Sequence, residues 1–310
     1  MKKFIIIVAL IACCLLRTAD CFCQDIHLSQ FYFSPLNVNP ALTGAIEGEL
    51  RGILNYRDQW RGFASPFVTM SFSADMTFLG DELGEDWVGA GLVVLQDKAG
   101  TGNLTNLKLM LSGSYFRWIN KWNYLSGGIQ AGFVQRKLDY SQLTFNEQWD
   151  NGFDPDRPNQ EPISGSNSFK HLDMHTGLLW SFIPNDKVQV ATGFGLFHLF
   201  APPESFYDFV QSFDGELDRL GRMLTIHSNA KIGLNKKLDI RPSALYMRQK
   251  QAQELTLGTS VGYKFIEDYK YDISGTVFLG SWYRFNDALV MLIGGEYQYF
   301  TLGISYDINV

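Results

Sequence analysis

Cysteine is missing from most of this 310-residue chain: the four that exist are Cys13, Cys14, Cys21 and Cys23. They fall in a segment built like an export signal, in which Lys2 and Lys3 precede the apolar run Phe4 to Leu16 and a short stretch, Arg17 to Cys23, leads to Gln24. Cleavage before Gln24 puts the small residues Cys21 and Cys23 at the -3 and -1 positions. Reading Leu10-Ile11-Ala12-Cys13 as a lipoprotein box instead would cut the apolar run in half. A mature chain starting at Gln24 has no thiol, which excludes disulfides, cysteine catalysis and cysteine metal sites. No later apolar run is long enough to cross a bilayer as a helix, so a helical membrane bundle is excluded. An excess of positive charge is also lacking: the net charge is -6 for the whole chain, and losing Lys2, Lys3, Arg17 and Asp20 makes it more negative. Nucleic acid is therefore not an expected partner.

What is present is aromatic and alternating. Phe, Trp and Tyr make up 15% and there are 29 Gly, yet the mean hydropathy is only -0.07, which suits a sheet with one greasy and one wet face. Leu224, Ile226, Ala230, Ile232 and Leu234 alternate with Thr225, His227, Asn229 and Lys231. Phe300, Leu302, Ile304, Tyr306 and Ile308 alternate with Thr301, Gly303, Ser305, Asp307 and Asn309. The same period holds for Leu107, Leu109 and Leu111 against Lys108 and Ser112, and for Val277, Leu279 and Tyr283 against Thr276 and Arg284.

A soluble sandwich would alternate too, but these strands are long and many end in aromatic residues, as where tilted strands cross a bilayer. Trp118, Trp122, Trp180, Trp282, Tyr246 and Tyr263 are the girdle candidates. Turn signals predict strands at 46–59, 66–78, 86–97, 105–118, 122–138, 169–183, 187–200, 222–234, 237–249, 253–265, 272–285, 287–295 and 298–309. The fold expected is an all-β transmembrane antiparallel up-and-down barrel. Such barrels close with an even strand number, so a fourteenth strand is expected beyond Val310. Connections predicted after the fourth, sixth and eighth strands are tight, at Ile119-Asn120-Lys121, Pro184-Asn185-Asp186 and Asn235-Lys236. Those after the fifth and seventh are long, Asp139 to Lys170 and Ala201 to Gly221. With both ends of the barrel chain periplasmic, the long loops are extracellular and the location is the bacterial outer membrane. Three regions follow: a signal peptide over 1–23, a periplasmic N-terminal arm or plug over 24–45, and a barrel over 46–310.

The stretch QDIHLSQFYFSPLNVNPALTGA, Gln24 to Ala45, resembles the opening signature of the PorP/SprF family of Bacteroidetes outer-membrane proteins, an aromatic-x-x-Pro-Leu-x-x-Asn-Pro-Ala-x-x-Gly segment. Tyr56-Arg57-Asp58-Gln59-Trp60 with Ser71 to Asp75, then Gly89-Ala90-Gly91-Leu92 with Asp97, Lys98 and Gly100, and the terminal GISYDIN resemble the later blocks. The resemblance implies a component of the type IX secretion system, linked to gliding motility and to placing proteins on the cell surface. Its implied partners are that machinery, the secreted surface cargo and outer-membrane lipid.

No catalytic, cofactor or metal site is expected. His171 and His175 would lie about 13 Å apart on one strand face, so they read as lumen or loop histidines. Asp150, Asn151, Asp154 and Asp156 beside Gly152 match no full calcium-loop pattern and read as a solvated loop. Gly100-Thr101-Gly102 precedes no helix and is a turn. A charge at the bilayer midplane costs about 2–4 kcal/mol, so Arg51, Arg57, Lys108, Lys231, Lys264, Asp272, Arg284 and Asp307 are expected to line the interior. They form either a paired, hydrated lumen or a route. Candidate partner contacts are Phe31, Tyr32 and Phe33 in the arm, which either plugs the barrel or docks elsewhere, and Trp149, Phe153, Phe206, Tyr207 and Phe209 in the long loops. The functional expectation is a non-enzymatic secretion or anchoring component, with a channel for small hydrophobic or polar solutes as the alternative. A hydrolase would need a rim acid/base or nucleophile cluster, and the sequence offers none.

Overall fold

The computed structural model describes residues 25–62, 65–150, 152–154, 157, 167–204, 219–268 and 273–310. It holds one sheet of thirteen strands in sequential order, each antiparallel to the next. The strands are β1 Leu50–Gln59, β2 Phe67–Phe78, β3 Trp87–Ala99, β4 Leu104–Asn120, β5 Asn123–Lys137, β6 Ser168–Asn185 and β7 Val188–Phe197, followed by β8 Met223–Gly233, β9 Leu238–Gln249, β10 Ala252–Asp268, β11 Ile273–Arg284, β12 Ala288–Tyr297 and β13 Phe300–Asn309. Fold class and strand number thus agree with the sequence pattern. Two ends differ. Residues 46–49 are bends rather than strand, because Gly44 and Gly48 take positive φ where the chain turns from the arm into β1. β7 stops at Phe197 because His198 has a φ of 56°.

The alternation separates two environments. Leu54, Leu111, Leu172, Leu279 and Leu302 point outward and are exposed, Leu111 by 68% and Leu302 by 71%. Ser71, Asp75, Asp173, Thr225, His227 and Thr276 point inward and are buried. Apolar outside and polar inside inverts a soluble protein and fits a wall facing lipid. Trp122, Trp180 and Tyr263 are on the outer face, exposed as girdle residues should be. Trp282 is not among them: it is 2% exposed and points inward. Trp118 also turns inward and packs beside Trp87 and Tyr124. Both belong to the polar-face register of their strands, so alternation outweighs the aromatic signal.

Both long connections, 138–167 and 198–222, leave the same end of the sheet, together with the short turns 250–251 and 285–287, and the three predicted tight turns after β4, β6 and β8 leave the other. Three tight turns share one device, an Asn carboxamide oxygen that accepts backbone N–H groups ahead of it. Asn120 accepts from Trp122 and Asn123, Asn185 from Lys187, and Asn235 from Lys237 and Leu238.

The sheet is not closed, and β1 and β13 are its edges. Both run in the same direction, so a strand between them would be antiparallel to each. A slot of about 770 Å³ lies there, lined by Leu54, Tyr56, Arg57, Trp60, Tyr306 and Asp307 among others.

Candidate functional site

The inner face is filled by the segment ahead of β1. It carries three short helical turns, Phe31–Phe33, Pro35–Val38 and Pro40–Leu42, each too short to satisfy its own backbone. The wall supplies what is missing. Asn55 donates to Phe33 O at 3.0 Å, Thr225 to Val38 O at 2.8 Å, Ser126 to Ala41 O at 3.0 Å and Ser114 to Thr43 O. At the short-turn end, Gly44 N donates to Asp75 at 2.7 Å and the Trp87 indole to Gly44 O at 3.1 Å. At the long-loop end, Asp25 N donates to Gln249 Oε1 at 2.7 Å and the Asp25 carboxylate takes Lys108 Nζ. The described arm therefore runs through the lumen from the long-loop end to the short-turn end.

Its centre is the Asn-Pro-Ala turn. Asn39 is fully buried; its Oδ1 accepts from Ala41 N at 2.9 Å, and its Nδ2 reaches Leu178 O at 2.9 Å and His227 Nε2 at 3.0 Å. The wall makes room with glycine. A Cβ on Gly177 would stand 1.8 Å from Asn39 Oδ1, and one on Gly193 would stand 2.5 Å from Asn39 Nδ2. Upstream, Phe31 packs with Leu245, Phe278, Trp282 and Leu292, and Tyr32 stacks on Trp282 at 4.6 Å. Leu36 meets Val93, Leu95 and Met110 on the opposite wall.

Four of the charges predicted for the interior, Arg51, Arg57, Lys108 and Asp307, touch this plug. Arg51 pairs with Asp75 at 2.7 Å and donates to Leu42 O and Ala45 O. Arg57 donates to His27 O at 2.6 Å and stands 3.7 Å from Asp307. Asp307 also accepts from Arg284 and Ser29, each at 2.7 Å. Lys264 lies in β10, partly buried, and Lys231 is exposed on the rim of an inner cavity. Asp272 falls outside the described residues. Of the aromatic candidates, Phe31, Tyr32 and Phe33 are turned into the wall, whereas Trp149 and Phe153 are exposed in the long loop and meet edge to face at 5.0 Å. Phe206, Tyr207 and Phe209 lie outside the described residues, as do Asn151 and Asp156 of the acidic loop.

Two titratable groups in the arm are strongly perturbed. Burial would raise Asp25, but Lys108 and the His198 ring outweigh it and hold the carboxyl well below its usual range. Burial, reinforced by Arg57 and Arg284, pushes His27 down to about 3, so it is neutral at physiological pH. Asp25 and Asn39 are anchors that sequence alone does not single out. Asn39 stands in the Asn-Pro-Ala segment, which offered the only available signal.

Between plug and wall lies a cavity of about 510 Å³, mostly apolar, with Trp87, Trp118, Phe278 and Trp282 among its lining and Arg241 at its polar side. Arg241 is itself paired with Asp239 and Glu296.

A family model described as "Type IX secretion system membrane protein PorP/SprF" matches residues 21–310. Among curated proteins none matches the sequence. Solved structures similar to this chain include the Ralstonia pickettii toluene transporter TbuX, at 10% identity and a TM-score of 0.49, with 89% of this chain and 88% of that one covered. A Pseudomonas aeruginosa FadL homologue aligns at 10% identity and a TM-score of 0.46, covering 84% and 73%. The translocator domain of autotransporter NalP from Neisseria meningitidis aligns at 12% and 0.44, covering 90% and 96%. The family match carries the assignment.

Proposed function

The chain belongs to the type IX secretion system membrane protein family PorP/SprF, and from that premise we propose that it is a non-enzymatic outer-membrane component that helps to secrete or anchor particular cell-surface proteins. The observation that carries this reading is the arm: it occupies the lumen and is held by hydrogen bonds from β1, β4, β5 and β8. A filled barrel is a platform for other proteins more readily than a conduit. The long-loop end would face outside, and Trp149 and Phe153 there would meet cargo together with Phe206, Tyr207 and Phe209. The slot between β1 and β13 would take one more strand, antiparallel to both, to complete the wall. To test the role, the tagged barrel is purified from its native host after mild crosslinking. Recovery of exported surface proteins, reduced when Trp149 and Phe153 are replaced by serine, is expected; recovery of none refutes it.

A channel for small hydrophobic or polar solutes is the second reading, favoured by the apolar cavity beside the plug. Steady conductance or solute flux through the reconstituted barrel with its arm intact would support it.

A further inference from the structure

A buried group of titratable side chains lies on the inner face where the arm begins. His198, just past β7, has a φ of 56°, and Leu199 N donates to Met174 O at 3.0 Å. This fold-back lays the His198 ring over β6, whose inward residues there are Asp173 and His175. Asp173 Oδ2 stands 2.5 Å from His198 Nδ1 and 3.1 Å from His175 Nε2. All three side chains are buried, and one donor atom from each lies within 4.8 Å of the other two.

Each ring is also engaged from behind. The Gln130 amide nitrogen reaches Leu36 O at 3.4 Å, which leaves its Oε1 facing His175 Nδ1 at 2.9 Å. An acceptor at Nδ1 places the ring proton there. His175 Nε2, buried and without a hydrogen-bond partner, then aims its lone pair toward the Asp173 carboxylate. Behind His198, Asp25 Oδ2 stands 3.1 Å from Nε2 and is itself fixed by Lys108 Nζ at 2.7 Å. An acceptor behind each imidazole is the outer-shell arrangement that fixes the tautomer of metal-bound histidine. His198 Nδ1 shares a short hydrogen bond with Asp173 Oδ2, and the bare His175 Nε2 faces the same oxygen, so a cation that displaces the shared proton meets three ligand atoms in one buried site.

We propose that Asp173, His175 and His198 bind one divalent transition-metal ion of the zinc class. Zinc takes imidazole and carboxylate ligands at about 2.0–2.2 Å, which sets tetrahedral ligand atoms about 3.4 Å apart. The observed separations, from 2.5 Å to within 4.8 Å, bracket that spacing. The ion joins β6 to the end of β7 and, through His198 and Asp25, to the start of the arm. It is a pin for the plug, and it holds whether or not the secretion role does.

The test uses the untagged full-length barrel in detergent, stripped with a chelator and titrated with zinc chloride by calorimetry. One zinc per chain is expected, with binding at least tenfold weaker in His175→Gln and His198→Gln and unchanged in His227→Gln, a buried histidine outside the cluster. Zinc should also slow proteolysis at the start of the arm in the wild type and in His227→Gln, and not in the two cluster variants. If either cluster variant fails to fold, zinc-edge absorption of the wild type decides, because two imidazole ligands are expected. Absence of stoichiometric binding, equal binding by the folded cluster variants, or a spectrum without imidazole overturns the proposal.

Discussion

Replacing Asn39 by alanine removes the polar centre of the plug while leaving the wall's glycines and helical turns in place. The side chain makes three contacts in a fully buried site: it accepts from Ala41 N, donates to Leu178 O and meets His227 Nε2. Each buried group left without a partner costs about 1–3 kcal/mol, partly offset because the open arm is hydrated. A net loss of about 3 kcal/mol in arm docking raises the open fraction roughly a hundredfold. Hydrogen exchange in detergent reads this directly, since the Ala41 amide loses its acceptor. Faster exchange at Ala41 to Ala45, with strand amides unchanged, is expected, and Asn39→Asp should fall between, keeping the acceptor and losing the donors. Unchanged exchange in Asn39→Ala would refute the idea that this side chain holds the plug.

Gly177→Val should be harsher than Asn39→Ala, because its Cβ would overlap Asn39 Oδ1 at 1.8 Å against rigid strand backbone; protease cleavage within 25–45 of the folded barrel measures the release. Trp282→Ala removes the ring under Tyr32 and should cost about 3–5 kcal/mol, read as a lower temperature for the heat-modified electrophoretic shift. His27 supplies a pH dependence. Its pKa is depressed to about 3 by burial, Arg57 and Arg284, although Glu254 stands 3.5 Å away. The unfolded chain therefore binds the extra proton first, and the stability is complete above about pH 6.5 and declines as pH falls toward 3. Acidification from pH 7 to 4 should loosen the start of the arm, and His27→Gln should flatten that response; an identical pH profile in the variant would remove His27 from the account.

The wall was readable because period-two alternation is a local signal that each strand repeats: Leu107, Leu109 and Leu111 face out and Lys108 faces in, as their order implies. The Asn-centred tight turns were readable for the same reason. The plug was half readable. Its aromatic and proline content demanded cover, but which wall covers it depends on contacts such as Asn39 with His227, 188 residues apart. Trp282 misled because an aromatic residue near a strand end serves a lipid girdle or a lumenal core equally well, and only register separates them. The Asp173, His175 and His198 cluster was hidden because His198 arrives by a backbone reversal that spacing does not encode. His171, the partner suggested by spacing, stacks on Phe169 instead.

The secretion role itself is tested most directly by deleting the gene in its native host and comparing cell-surface and culture-fluid proteins by mass spectrometry, with complementation. The account predicts that one or a few surface proteins disappear from the cell surface while the outer membrane stays intact, and return with the wild-type gene. An unchanged surface proteome would contradict it.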